Sequence, residues 1–323
     1  MVTGNTNFNK LITTTLQNLP KEVFDAVSGN DALFYMLNKR GNLKIVSGGR
    51  SFTHPIWYKE NSSFRSYGKT DTIDTPLVDD LTRAEYPIKI IAGSVTVSLL
   101  EEAMNAGQKE KLIDLAEETA IRARKSMSSV MGEQAWKDGS IANDVDGLKF
   151  LINLAPSGQT DVGGIDASAT GNDYWRNQVD TTGTAAFNTS SAGLKLMNSM
   201  LNSCTFGKEG PRAIFTTKAV YGLYEIGLTS QIRYVTTELA DAGFRHLAYT
   251  TMPVLFDDNC PAGCMYFVDL DNLWLQVLAR GNMEMTDMQP SHDQLMKVAL
   301  MYLFGNLTTG SRRTNGVLSA ITA

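Results

Sequence analysis

The side chains that most often carry chemistry are few in this sequence and poorly placed for one another. There are three histidines, His54, His246 and His292, and three cysteines, Cys204, Cys260 and Cys264. No histidine has a second one at helical spacing with which to share a zinc ion. Cys260 and Cys264 flank Pro261-Ala262-Gly263 but lack the second pair that a four-ligand site needs. Two small packed thiols are the plainer reading. Ser291, His292 and Asp293 have the residue types of an acyl-transfer triad, yet as immediate neighbours they cannot form its geometry among themselves. Asp257-Asp258 and Asp269 with Asp271 offer carboxylates for a cation, at turn positions where hydration is their ordinary fate. None of the strings G-x-x-x-x-G-K-[ST], G-x-G-x-x-G or G-x-S-x-G occurs. Phe206-Gly207-Lys208-Glu209 lacks both the earlier glycine and the hydroxyl that would hold magnesium. The sequence therefore predicts no catalytic, cofactor-binding or metal-ligating residue, no cofactor, and no enzyme.

Composition narrows the classes further. The 323 residues are 43% hydrophobic and 20% charged, which suits a globular chain able to bury a core and excludes wholesale disorder. The net charge of -5 argues against sequence-specific nucleic-acid binding, which calls for a basic surplus. Scarce cysteine excludes a disulfide scaffold and suggests a reducing compartment, and no secretory signal is read at the N-terminus. The longest apolar run, Val298 to Phe304, falls far short of the ~20 residues of a membrane helix. Charge is uneven along the chain: nine basic and four acidic residues over 1–69, then four basic and eleven acidic over 70–119. That asymmetry suits contact between complementary parts of two copies, or two solvated faces.

The elements that would position any site come next. Lys21 to Arg40 is amphipathic, interrupted at Ser28-Gly29, and too poor in apolar residues to close a core of its own. Phe52, His54, Ile56 and Tyr58 share one parity; Tyr86, Ile88 and Ile90 alternate on return, with Pro87 marking an edge. Gly93 precedes a parity change at Val95 and Val97, which reads as a bulge or bend. A two-stranded hairpin with a polar tip over 60–85 follows, its arms of roughly 15–20 residues reaching ~50–65 Å. A two-stranded hairpin is marginal alone in water and must lie on something. Ser98-Leu99-Leu100-Glu101 reads as a capping box, and Gly107 ends the first short helix. A long helix over 108–136, ~43 Å if unbroken, carries the stripe Leu112, Leu115, Ala116, Thr119, Ala123, Met127, Val130 and Met131. A mixed α/β body runs to about Arg280, with strands at Ala213–Thr216, Val254–Phe256, Met265–Val268 and Leu273–Leu278 and helices near 190–202 and 220–229. The tail reads as strands returning to the long helix. The methionines of the C-terminal region, Met283, Met285, Met288, Met296 and Met301, suit either core gap-filling or an adaptable interface.

This order of elements resembles the major capsid proteins of tailed bacteriophages, with the Hong Kong 97-type fold. The strings that carry the likeness are Gly163-Gly164-Ile165-Asp166 followed by Tyr174-Trp175-Arg176-Asn177, then Phe256-Asp257-Asp258, Cys260-Pro261 and Met265-Tyr266-Phe267-Val268-Asp269. Ala167 stands where a basic residue is common in the subgroup that shares the first string.

The resemblance implies an α+β chain divided into an N-terminal arm (1–45), an extended β-hairpin loop (46–97), a peripheral domain with the spine helix (98–140 and 281–323) and a mixed α/β axial domain (141–280). It implies self-assembly in pentamers and hexamers into the icosahedral shell of a virion, formed in the host bacterial cytoplasm. Implied partners are a separate scaffolding protein, a portal protein, decoration proteins, and packaged double-stranded DNA contacted non-specifically, with no membrane. Some relatives cross-link a loop lysine to a distant asparagine; no motif assigns that reaction to Lys59 or Lys69 with Asn306 or Asn315, which are read as structural. The alternatives are an encapsulin-like nanocompartment shell of the same fold and a soluble α/β enzyme.

Overall fold

The computed structural model describes residues 31–61, 63–73, 75, 79–105, 109–182, 187, 192–227 and 247–322. Most of the arm, the Gly107 break and His246 lie outside them.

Helix α1 (Ala32–Lys39) starts at Asp31, whose Oδ1 accepts from the backbone N–H of Leu33 at 2.9 Å and Phe34 at 3.3 Å. Its apolar residues are not left waiting for a partner. Ala32, Leu33, Phe34, Met36 and Leu37 all join the main core, where burying each of the larger ones contributes about 1.5–3 kcal/mol. Arg40 pairs with Asp271 on the far side of the chain, and Asn42 Nδ2 donates to Leu273 O at 3.0 Å. Strand β1 (Leu43–Val46) then runs parallel to β10 (Leu273–Leu278).

β2 (Ser51–Trp57) and β3 (Leu81–Pro87) form the expected antiparallel pair, in register from Ser51 opposite Pro87 to Trp57 opposite Leu81. The arms are seven residues rather than 15–20, or ~23 Å. The returning strand divides at Pro87, because β4 (Lys89–Ser98) joins a different sheet. The parity change seen in the sequence is this hand-over at Pro87-Ile88, not a bulge at Gly93, whose ladder against Met301 is unbroken.

Ser98 Oγ accepts from Leu100 N–H at 3.2 Å to cap α2 (Leu99–Asn105). The spine helix α3 (Lys109–Gln134) spans 26 residues, ~39 Å. Thr119, Met127 and Met131 of its stripe are buried, whereas Val130 is exposed.

The sheet beside this helix is built on β13 (Met296–Thr309). Its whole length to Gly305 pairs with β4 on one side, and β10 (Leu273–Leu278), β11 (Glu284–Met285) and β12 (Gln289–Pro290) pair on the other. Strand β13 is an alternating strand: Ala299, Met301 and Leu303 are buried while Leu300 is exposed. Met283, Met288 and Met301 are core residues, which decides those three for gap-filling.

The second sheet has the order β5 (Gln178–Asp180), β14 (Gly316–Leu318), β9 (Met265–Val268), β6 (Ala213–Thr216), β8 (Met252–Phe256), β7 (Leu247–Tyr249). Both its faces are covered, so its strands read as continuous apolar runs. Ala213, Phe215, Tyr266, Val268 and Val317 face the main core. Ile214, Met265, Phe267 and Leu318 face a second core with α5 (Ala192–Cys204) and α6 (Lys218–Gly227). The last strand therefore does not return to the spine helix: β14 is inserted between β5 and β9. Conversely β10, expected with the body, lies in the spine-side sheet. Short α4 (Leu148–Leu151) links the spine helix to the body.

Candidate assembly surface

A hairpin needs a seat, and the inner face of β2–β3 has one. Phe52, His54, Ile56, Ala84 and Tyr86 are buried; Thr53, Pro55, Trp57, Leu81, Arg83 and Glu85 face out. His54 stacks on Trp274 with ring centres 4.5 Å apart, and its Nε2 is 3.0 Å from Thr308 Oγ1. Burial, helped by the nearby Lys44 ammonium, pushes the imidazole down to about 4, so it is neutral at physiological pH. Tyr86 donates its hydroxyl to Thr309 O at 3.0 Å.

The Gly163-Gly164 string is the other half of the seat. Glu85 N–H donates to Gly163 O at 2.8 Å. A Cβ on Gly163 would stand 3.0 Å from Tyr86 Cζ and 3.1 Å from Ala84 Cβ, and the residue has φ +63°. Glycine is needed here for close approach. The second string completes the bracket. Trp175 Nε1 donates to Val162 O at 2.8 Å, and Tyr174 stacks on Tyr58 at 5.0 Å. Arg176 Nε donates to Ala167 O at 2.6 Å and its guanidinium pairs with Asp173.

Arg312 fastens the bracket from inside. It is fully buried and donates to Leu151 O at 2.8 Å, Trp175 O at 3.0 Å, Asn177 Oδ1 at 3.1 Å and Gln159 Oε1. Desolvation pulls its pKa down to about 10, which still leaves it a cation, held by oxygen dipoles. Sequence reading missed this residue, because an Arg-Arg pair in a polar tail ordinarily signals a solvated turn. Trp175, Arg176 and Asn177 thus tie together neighbouring segments of their own chain.

Beyond the seat the hairpin opens outward. Phe64 is 88% exposed, and Ile73, Trp57 and Leu81 are each more than 60% exposed. Trp57 and Leu81 are cross-strand partners on the outer face, so their side chains share one apolar patch. The tip is held by near-neighbour bonds: Asn61 Oδ1 accepts from Ser63 N–H, Tyr67 donates to Ser63 O, and Asp71 Oδ2 accepts from Gly68 N–H.

The residues weighed for chemistry fall apart in space or are occupied. Cys260 and Cys264 are buried, and burial pushes both thiols up. His292 is fully exposed, with its Nδ1 3.1 Å from Asp293 Oδ1. Asp258 pairs with Lys218 at 2.7 Å, and Asp271 pairs with Arg40 and Arg212. Asp269 Oδ1 accepts from Asp271 N–H at 3.0 Å as a turn cap. Among the described residues there is no cluster of three or more His, Cys, Asp or Glu that could hold a metal ion. Asn306 accepts from the N–H groups of Asp146 and Leu307, both at 2.9 Å, and donates to Pro87 O at 2.8 Å and Asp146 Oδ2 at 2.7 Å. Asn315 is buried likewise, accepting from Asp269 N–H and donating to Ser311 O. Lys59 and Lys69 are exposed on the hairpin tip.

No family model and no curated protein matches the sequence. Solved structures match the fold along nearly the whole chain. A chain of the cyanophage A-1(L) capsid asymmetric unit superposes with a TM-score of 0.65 at 16% identity, covering 89% of this chain and 93% of its own. The capsid of a native GTA particle gives 0.58 at 12% identity, covering 89% and 90%. The holo-SrpI encapsulin complex from Synechococcus elongatus PCC 7942 gives 0.52 at 10% identity, covering 88% and 91%. The chain has the Hong Kong 97-type fold of these shell proteins. Among the described residues no helix is long and apolar enough to cross a membrane.

Proposed function

We propose that this chain is a major capsid protein, many copies of which assemble into the icosahedral head enclosing the double-stranded DNA of a tailed bacteriophage. The observation that carries the reading is the hairpin, seated at its base and presenting Trp57, Leu81, Phe64 and Ile73 to solvent, on a shell-protein fold. Apolar surface of that kind is a contact waiting for a neighbour. A head-to-tail contact repeated about an axis closes into the pentamers and hexamers such a shell needs. The net charge of -5 suits a container that holds DNA without gripping it.

In this reading residues 1–45 are the arm and 46–97 the loop. The peripheral domain (98–140 and 281–323) also takes in β1, β4 and β10, and the axial domain (141–280) also takes in β14. A scaffolding protein, a portal and decoration proteins are the further partners, with assembly in the host bacterial cytoplasm. The test is electron microscopy of the protein produced alone and with a scaffold: polyhedral particles support the reading, and a strict monomer under every condition overturns it. Particles filled with a protein cargo and never with DNA would instead favour the nanocompartment reading, which the encapsulin neighbour keeps in view.

A further inference from the structure

Two carboxyl groups meet in the interior where α1, the end of the spine helix and the turn after β8 converge. Asp31, the cap of α1, and Asp257, the residue after β8, are 8% and 6% exposed, and their side chains face each other within hydrogen-bonding reach. Asp31 Oδ1 is committed to Leu33 and Phe34 N–H, and Asp257 Oδ1 to Asn259 N–H at 2.9 Å. Asp257 Oδ2 and Trp136 Nε1 are both buried with no other partner, and the indole N–H lies beside that carboxyl as its nearest donor. The spine helix comes so close at Gly132 that a Cβ there would lie 2.9 Å from Asp31 Oδ2.

We propose that Asp31 and Asp257 share one proton, and that this proton latches α1 to the spine helix and the β8 turn. Two acceptors in contact have no hydrogen bond between them without it; with it, one carboxyl donates to the other. The remaining facing groups do not supply a cation. The spine side gives Gly132 and Trp136, α1 gives backbone amides, and the β8 turn gives Asn259, the Cys260 thiol and Asp258, which spends its charge on Lys218. Burial, then the Asp257 charge, push Asp31 up to about 8, and burial raises Asp257 as well. The folded chain therefore holds a proton that the unfolded chain releases near pH 4, so the pair's contribution to stability falls as pH rises from about 4 towards 8 and levels off above it.

The experiment is unfolding of the full chain, kept unassembled, at pH 6, 7, 8 and 9. Relative to Asp31→Asn, the unfolding constant of the wild type should rise close to tenfold per pH unit up to about pH 8, the signature of one proton lost, because His54 and the buried thiols act alike in both chains. Asp31→Asn keeps the cap and carries a permanent N–H donor, so it lacks this proton and its stability at pH 9 should be higher than wild type. Asp258→Asn should keep the wild-type slope. If Asp31→Asn fails to fold, Asp257→Asn, which leaves Asp31 an unopposed cap, should lose the slope in its place. A wild-type profile that runs parallel to that of the folded Asp31 or Asp257 variant overturns the proposal. The latch belongs to the single chain, so a protein that forms no shells leaves this test intact.

Discussion

Gly163 and Gly164 provide a controlled perturbation of the hairpin seat. Both have positive φ, +63° and +73°, so an alanine at either pays the same backbone strain, about 1–2 kcal/mol. They differ in what the new methyl meets. At Gly164 nothing lies within 4 Å. At Gly163 the methyl enters the contact between loop and hairpin, 3.0 Å from Tyr86 Cζ and 3.1 Å from Ala84 Cβ. Tyr86 cannot swing aside without giving up its bond to Thr309 O, and Ala84 is fully buried. Overpacking of this kind costs about 1–3 kcal/mol. Gly163→Ala should therefore destabilise by about 2–5 kcal/mol and Gly164→Ala by about 1–2 kcal/mol.

The assay is denaturant unfolding of the unassembled chain, with hydrogen exchange at Glu85 as the local readout, since its N–H donates to Gly163 O. Exchange at Glu85 should quicken in Gly163→Ala and stay near wild type in Gly164→Ala. Equal losses in the two variants, within about 0.5 kcal/mol, would refute the seat, because that is the margin within which surface changes ordinarily fall.

Three further outcomes are expected. Arg312→Met should cost about 3–5 kcal/mol in unfolding free energy, because it strands buried acceptors on Leu151, Gln159, Trp175 and Asn177 together; a cost below about 1 kcal/mol would show that water replaces the guanidinium. His54 is held neutral with its pKa lowered to about 4, so it contributes stability that is present above 6.5 and lost as pH falls towards 4; His54→Gln should shallow that acid limb, and an unaltered limb counts against it. Deleting residues 59–79 behind a short turn should leave the melting transition of the body in place and abolish particles in electron micrographs, whereas normal particles would remove the tip from the assembly surface.

What was legible in the sequence was whatever local pattern decides. The buried strands Ala213–Thr216 and Met265–Val268 announced themselves as apolar runs because both faces of their sheet are covered. The spine helix showed in its spacing of three and four, and the hairpin in its parity. What stayed hidden depends on partners far along the chain. Nothing near Val317 says that it will slot between β5 and β9, nor does anything near Leu273 say that β10 will pair with β13. Pro87 was read as an edge mark within one hairpin strand, when it ends that strand and passes the chain to a second sheet. The Gly-Gly and Trp-Arg-Asn strings were noticed by likeness, but their reason, a bracket closed by a buried arginine some 135 residues downstream, needs the folded contacts.

The division of labour within the hairpin has an energetic consequence. Its stem is fixed by long-range contacts to Trp274, Thr308, Thr309 and Gly163, so it belongs to the fold's cooperative unit. Among the described residues between 61 and 73, the tip is held by bonds spanning four residues or fewer, so the body gains little from them. Apolar residues such as Phe64 and Ile73 at an exposed tip lower solubility and add nothing to the stability of the lone chain. They are explained if their burial comes later, on another molecule. Changes in the stem should then alter unfolding and assembly together, while changes in the tip alter assembly alone, and that separation distinguishes a seated, outward-reaching hairpin from an ordinary surface loop.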